Sequence, residues 1–246
     1  MRQIFQADPS RLCAVEEADR HHEQVHGPFA RDVLLRESPR VTRYSWNRVE
    51  RSRDLSGRFD RRPGAWRFIF LDSEPRFAGD PEARVPGHLS QRVLHDHVNF
   101  LRDMRCFEAE PAVAADRRSG QCSTAKFLLV VEVTRESRRD ELVRLRRELV
   151  SALAEHLPTS DGGRLLVTNE IVREMATAPI EEPGQLPTGE FRQVSSRLAV
   201  DELYCDNATA GVELLTCPAV REIIDGFLPD ELQGHLVREW VGFDRS

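Results

Sequence analysis

Three of the chain's eight histidines fall within six residues, in the run Arg20-His21-His22-Glu23-Gln24-Val25-His26-Gly27-Pro28. Imidazole titrates near neutral pH, so this cluster is where proton transfer or metal binding would be sought first. His22-Glu23-Gln24-Val25-His26 fits H-E-x-x-H, in which two histidines one helical turn apart bind zinc and the glutamate is general base. Gly27-Pro28 follows at once, and proline withholds a backbone donor and crowds the turn before it. The helix is therefore expected to kink where a zinc-peptidase helix runs on. No third ligand is evident on a later helix, although His88, His95 and His97 exist. No metal is assigned on this basis. Acid–base chemistry is the other reading: His26 as base or acid, aimed at a sheet by the Gly-Pro step, with His22 one turn earlier on the same face. The plain alternative is a surface helix with His21 and His22 solvated and His26 packed.

A second set of candidates lies on the segment Arg40-Val41-Thr42-Arg43-Tyr44-Ser45-Trp46-Asn47-Arg48-Val49. Side chains alternate along a strand, so Arg43, Ser45 and Asn47 share one side, and Tyr44, Trp46 and Arg48 the other. Arg43 or Asn47 would hold a developing enolate or phenolate oxygen. Tyr44 and Trp46 are substrate contacts or core aromatics. In His95-Asp96-His97 the two imidazoles sit at i and i+2 of a helix, which point apart and make no ready metal pair; His97 is taken as a supporting pocket residue. Lys126 is the only lysine, but it opens an apolar run and is set aside as a Schiff-base former. No Gly-rich phosphate loop and no G-x-S-x-G nucleophile turn occurs. The segment from Arg51 to Arg62 mixes Arg with Asp and reads as a solvated loop or lid.

The elements that would position these residues follow from periodicity. Strands are predicted at Arg2–Gln6, Val41–Glu50, Trp66–Leu71 and Cys106–Ala115, the last demoted to an edge or bulge by Pro111. Helices are predicted from about Arg11 to Leu35 and from His88 to Met104. The second half repeats the plan more cleanly. Phe127–Val133 is a strand, and Leu142, Leu145, Leu149 and Leu153 give the next helix one apolar face. Strands follow at Arg164–Val172 and Phe191–Leu203. A helix from about Asn207 to Phe227 and a strand at His235–Phe243 complete the half. Each half reads β-α-β-β-α-β, the plan of a ferredoxin-like sheet. The polar stretch from Asp116 to Ser123 is the linker, dividing the chain into domains 1–116 and 124–246.

Composition narrows the function classes. The 246 residues carry a net charge of −6 and are 40% hydrophobic, which suits a globular protein and argues against a dedicated nucleic-acid binder. No apolar run reaches the roughly 18 residues of a membrane span, and the N-terminus lacks the apolar core of a signal peptide. Five widely spaced cysteines with no CxxC read as reduced thiols in a cytoplasmic protein.

One resemblance gathers these signals. The EthD family, of the dimeric α+β barrel superfamily, ends its first helix in a pattern like (Tyr/Phe)-Trp-x-x-Val-His-Gly-Pro. A strand like Arg-Arg-Tyr-Val-Gln-Asn-His follows it. This chain resembles that pattern in Val25-His26-Gly27-Pro28, in Arg43-Tyr44 and in Asn47, with His21-His22 in place of the aromatic pair and Arg48 in place of the last histidine. The second half has Ala154-Glu155-His156-Leu157-Pro158 and no His-Gly-Pro, so it reads as a repeat without a site. The resemblance implies an α+β fold of two ferredoxin-like βαββαβ repeats packed sheet to sheet as a fused, pseudo-dimeric barrel. The chain would be a monomeric barrel or form a further homodimer. It also implies a small-molecule enzyme doing cofactor-independent acid–base chemistry, such as dehydration, isomerisation or cyclisation, on an aromatic or polyketide-like metabolite. No nucleic-acid or membrane partner is expected. The catalytic candidates are His26 and His22; the substrate-binding candidates are Arg43, Tyr44, Trp46, Asn47 and His97. The rival readings are a non-catalytic binding or accessory module of a biosynthetic pathway, a cofactor-free monooxygenase, and a haem-binding barrel.

Overall fold

A computed structural model describes residues 1–10, 13–50, 67–74, 92–93, 95–118, 125–157, 164–175, 191–192, 195–228 and 230–245. The Arg51–Arg62 segment, most of the linker and the Pro-rich stretch after Met175 lie outside the described residues.

Strand β1 (Arg2–Pro9) leads into helix α1 (Val15–His21), a single π-helical turn (His22–His26) and helix α2 (Gly27–Glu37). Strands β2 (Val41–Val49) and β3 (Arg67–Ser73) follow, then a 3-10 turn (His97–Asn99) and the long strand β4 (Leu101–Asp116). The second half contributes β5 (Ala125–Glu132), α3 (Arg139–His156), β6 (Leu165–Met175), the two-residue β7 (Phe191–Arg192) and β8 (Arg197–Cys205). Helices α4 (Ala208–Thr216) and α5 (Pro218–Asp225) and strand β9 (Leu232–Asp244) end the chain.

The strands hydrogen-bond in the order β4-β1-β3-β2-β9-β5-β8-β6-β7, and β4 also pairs with β6. That extra pairing closes eight antiparallel strands into a barrel within one chain. The two seams, β2 with β9 and β4 with β6, each join an early strand to a late one. Closure removes the unpaired edges that an open sheet would present. The architecture is therefore an α+β barrel.

Alternation sorts each strand's side chains between lumen and helix side. Ile4, Phe68, Phe70, Phe107, Leu128, Val130 and Val200 fill the lumen. On the outer face of the late strands, Phe127, Leu129 and Leu203 pack under Leu142, Leu145, Leu149 and Leu153 of α3. Gly211 of α4 lies against this layer, where a Cβ would meet the Phe127 ring at 2.7 Å and 2.9 Å, so only glycine allows the approach.

The structure corrects several predicted boundaries. The helix predicted to run to Met104 has ended by the 3-10 turn at His97–Asn99. Leu101, Asp103 and Met104 instead pair with Pro9, Asp8 and Ala7 of β1. The ladder with β1 takes up the backbone groups that another helical turn would have paired, and from Cys106 on β4 pairs with β6 as well. The predicted helix from Asn207 to Phe227 is two helices, because Pro218 cannot continue α4 and instead starts α5. The strand predicted from Phe191 to Leu203 is two strands, β7 and β8. Pro111 lies between two register shifts of the β4–β6 ladder, beyond the last β1 partner at Ala109, where its missing N–H disrupts least.

Candidate active site

The Gly-Pro step does not open the first helix. The backbone stays helical from Val15 to Glu37, and one π turn over His22–His26 absorbs the proline. The Gly27 N–H reaches back five residues to the His22 carbonyl. Widening the turn in this way keeps the Pro28 ring off the carbonyl four residues earlier. Gly27 also sets how deep the helix sits. A Cβ there would meet Trp46 Cζ3 at 2.8 Å and the His22 carbonyl at 2.9 Å, with Trp46 Cη2 nearer still.

Seated this way, the π turn presses its histidines onto the outer face of β2. His22 is fully buried and His26 is 3% exposed. The His22 ring stands edge-on to Trp46 at 5.1 Å and to Phe100 at 5.5 Å. His26 lies 5.5 Å from His22, 4.8 Å from His97 and 4.6 Å from Phe100, centroid to centroid. Trp46 stacks on Trp240 of β9 at 3.4 Å and neighbours Tyr44 at 5.6 Å. One wall of the cluster thus comes from a late strand brought in by the β2–β9 seam.

Two groups in this region were not singled out from sequence. Asp96 accepts from His26 Nδ1 at 3.0 Å, from His21 Nε2 at 2.9 Å and from Asn99 Nδ2 at 2.9 Å. It stands between two histidines that drew the attention, on a turn whose geometry sequence did not resolve. Arg67, with its side chain fully buried, donates to Asp19 at 2.7 Å and to Glu23 at 3.4 Å. It follows Trp66 at the start of an apolar strand, and its place opposite Arg48, on the face turned to the first helix, appears only with the β2–β3 register.

The electrostatics follow from burial. Desolvation pushes His22 well below its ordinary value, with the Arg67 charge adding to the effect. His97 is pushed down to about 3, again chiefly by burial. His26 is also lowered by burial, and Asp96 works against that shift. Burial would raise Asp96, but hydrogen bonds from His26, Asn99 and His21 hold it well below the usual carboxylate range. At neutral pH the site is three buried neutral imidazoles beside a carboxylate and a guanidinium.

The other predicted site residues divide by face. Tyr44, Trp46, His22, His26 and His97 come together. Arg43 and Asn47 do not: they turn into the lumen, where Arg43 pairs with Glu239 at 3.2 Å and Asn47 Nδ2 donates to the Phe68 carbonyl at 3.3 Å. The period of two along β2 forces that separation. The cation that shares the histidine face is Arg67. Glu23, the base a zinc peptidase would need, is bound instead to Arg48 at 3.0 Å and to Arg67. Among the described residues no group of three or more His, Cys, Asp or Glu side chains is placed to hold a metal ion.

No family profile and no curated protein matches the sequence. Solved structures do. An anthrone oxidase-like protein aligns with a TM-score of 0.54 over 100% of this chain and 94% of its own, at 11% identity. Two putative monooxygenases align as well. One, from Lactobacillus acidophilus NCFM, has a TM-score of 0.50 and 9% identity over 98% of this chain and 94% of its own. The other, from Fusobacterium nucleatum subsp. nucleatum, has a TM-score of 0.53 and 10% identity over 98% and 92%. The chain shares their α+β barrel fold. At such identities the likeness extends to the fold and no further. Among the described residues no helix is long and apolar enough to cross a membrane.

Proposed function

We propose that the chain is a small-molecule enzyme that uses His26 for proton transfer on an aromatic or polyketide-like substrate. The observation that carries the reading is His26 itself: a neutral imidazole, buried among His22, His97 and Phe100 and bonded to a carboxylate. A neutral imidazole in such a setting is a competent base, and once protonated a competent acid. His26 takes a proton from an activated C–H or phenolic O–H. His22 and His97 shield the reacting bond from water, and Trp46 and Tyr44 form the packed apolar floor on which the histidine turn rests. The role first given to Arg43 or Asn47, holding the developing oxyanion, passes to Arg67, the buried cation on the histidine face. Returning the proton at another carbon isomerises the substrate, and returning it to a departing hydroxyl dehydrates it. Neither needs a cofactor.

The structural neighbours favour a second reading of the same site, a cofactor-free monooxygenase. There the carbanion left by proton removal reacts with dioxygen; a ring CH2 becomes C=O and the second oxygen atom leaves as water. The proposal also includes a tandem of ferredoxin-like repeats, residues 1–116 and 124–246. It is supported by the strand order, β4-β1-β3-β2 in the early half and β9-β5-β8-β6 in the late one, which is the same order twice. On this reading the late repeat completes the barrel and has no site of its own, as in a fused member of an EthD-like lineage.

The test is turnover of a panel of hydroxylated anthrones, naphthols and cyclic polyketides, followed by mass spectrometry with an oxygen electrode in parallel. His26→Ala is expected to fold normally and lose most turnover, and oxygen uptake separates the two chemistries. An unchanged rate in that variant refutes the assignment. Saturable binding without turnover in the parent protein would make it an accessory module, and a Soret band in the purified protein a haem barrel.

A further inference from the structure

We propose that Asp96 is the positioning residue of His26, fixing the proton on Nδ1 so that Nε2 is the nitrogen that exchanges protons with the substrate. The inference rests on the reading of His26 as the acid–base group and deepens it. The argument is one of donors and acceptors. A carboxylate can only accept, and a neutral imidazole carries one N–H. With His26 Nδ1 3.0 Å from Asp96 Oδ2, that N–H must sit on Nδ1 and the lone pair on Nε2.

Asp96 is equipped to stay ionised. Its other oxygen receives His21 Nε2 at 2.9 Å and Asn99 Nδ2 at 2.9 Å, so three donors from two segments converge on one carboxylate. Asn99 lies three residues on in the same turn, which anchors Asp96 to its own backbone neighbourhood. His21 comes from the helix that carries His26 and ties the two segments together. Of the three histidines on the first helix, His21, His22 and His26, only His21 reaches solvent, with its side chain 29% exposed. The charged and titratable groups acting on His26 are Asp96, His21, His97 and Arg67, and His22 stands beside it; Asp96 alone among them is an anion. When Nε2 takes a proton, the imidazolium finds its counter-charge already in place, without solvent rearrangement.

The experiment uses the full chain with 15N-labelled histidine. Long-range 1H–15N correlation reports for each imidazole which nitrogen is protonated, and the His26 signals are identified by their loss in His26→Gln. Wild-type protein is expected to show a protonated Nδ1 and an unprotonated Nε2 at His26. Asp96→Ala is expected to lose that preference and populate the Nε2–H form, whereas His21→Gln, which leaves Asp96 in place, is expected to keep it. A wild-type His26 carrying its proton on Nε2 overturns the proposal whatever the variants do, and so does a tautomer unmoved by Asp96→Ala. In turnover assays the isosteric Asp96→Asn is expected to lower kcat roughly 10²- to 10⁴-fold with KM little changed. The midpoint of its pH–rate profile should move down, since an interaction that raises His26 is gone. Unchanged kcat and pH profile in Asp96→Asn, in an enzyme that His26→Ala inactivates, would also overturn it. If His26→Ala leaves turnover intact while the tautomer is as described, the functional reading fails and the positioning assignment stands.

Discussion

Gly27→Ala isolates how the first helix is seated. Two opposing effects are involved. Gly27 has helical backbone angles, so alanine there gains about 1 kcal/mol of helix propensity. Against this, the new Cβ would lie 2.8 Å from Trp46 Cζ3 and 2.9 Å from the His22 carbonyl. Ordinary carbon contacts sit near 3.5–4.0 Å, so about 1 Å of movement is needed. Trp46 is poorly placed to supply it, being stacked on Trp240 at 3.4 Å and bounded by Tyr44 and His22. Overpacking of a well-filled core costs about 1–3 kcal/mol, and the crowding here belongs at the upper end. The net expectation is a loss of about 2 kcal/mol, or roughly 4–8 °C in melting temperature for a chain of this size. Urea unfolding followed by tryptophan fluorescence measures it. Combining Gly27→Ala with Trp46→Phe, which makes room for the methyl, is expected to recover much of the Gly27→Ala loss through a favourable coupling term. A Gly27→Ala protein as stable as the parent would refute the account of how this helix meets the barrel.

Other expectations follow from the charges. His97 and His235 are pushed down to about 3 and about 4, chiefly by burial, so the unfolded chain binds protons that the folded one refuses. Stability is therefore expected to fall as pH drops below about 6.5, by about 2 kcal/mol per residue at pH 5, and equal unfolding midpoints at pH 7 and pH 5 would contradict this. In the lumen Lys126 Nζ bonds Glu202 at 2.6 Å and Glu239 at 2.8 Å; Lys126→Met removes the cation they share and leaves Glu202 to Arg2 and Glu239 to Arg43, so it is expected to cost about 2–3 kcal/mol by chemical unfolding. Arg67→Gln should weaken calorimetric binding of a phenolate ligand, while Arg43→Ala, which alters the opposite face of β2, should leave that affinity unchanged. The reverse result would move the site into the barrel.

The strands were the most legible part of the chain. FLLVVEV and WRFIFL are apolar on both alternating sets, as a barrel wall buried on both faces requires. Leu142, Leu145, Leu149 and Leu153 specified α3 by spacing alone. Boundaries failed where pairing outweighed local pattern. His97 and Leu101 keep helical spacing, yet β4 needs Leu101 and Met104 for its ladder with β1. Pro218 was a stop signal present in the sequence and passed over inside an otherwise helical pattern. For the site, the histidine run and Trp46 stood out by residue type. Asp96 and Arg67 did not, because their roles depend on which turn meets which strand. No residue spacing shows that Asp96, seventy positions away from His26, accepts its hydrogen bond.

The two faces of β2 carry separate tasks. Its lumen face holds Arg43 against Glu239 and Asn47 against the Phe68 backbone. There Arg2 binds Glu202 and Asn169, and Lys126 lies over the Phe70 ring at 4.9 Å. Each of these contacts except that of Asn47 joins an early residue to a late one, so the lumen network fastens the barrel closed. Buried ion pairs of this kind hold a register because a slip would strand a charge. The outer face holds Tyr44 and Trp46 beneath the π turn. Because β2 pairs with β9, the register that the lumen charges fix also places Trp240 behind Trp46, and Trp46 is the surface on which Gly27 and His22 rest. The late half, which carries no Val-His-Gly-Pro of its own, thus enters the histidine cluster as its rear wall. Barrel closure and the shape of the candidate site depend on the same pairing, and a change that shifts the β2–β9 register would disturb both together.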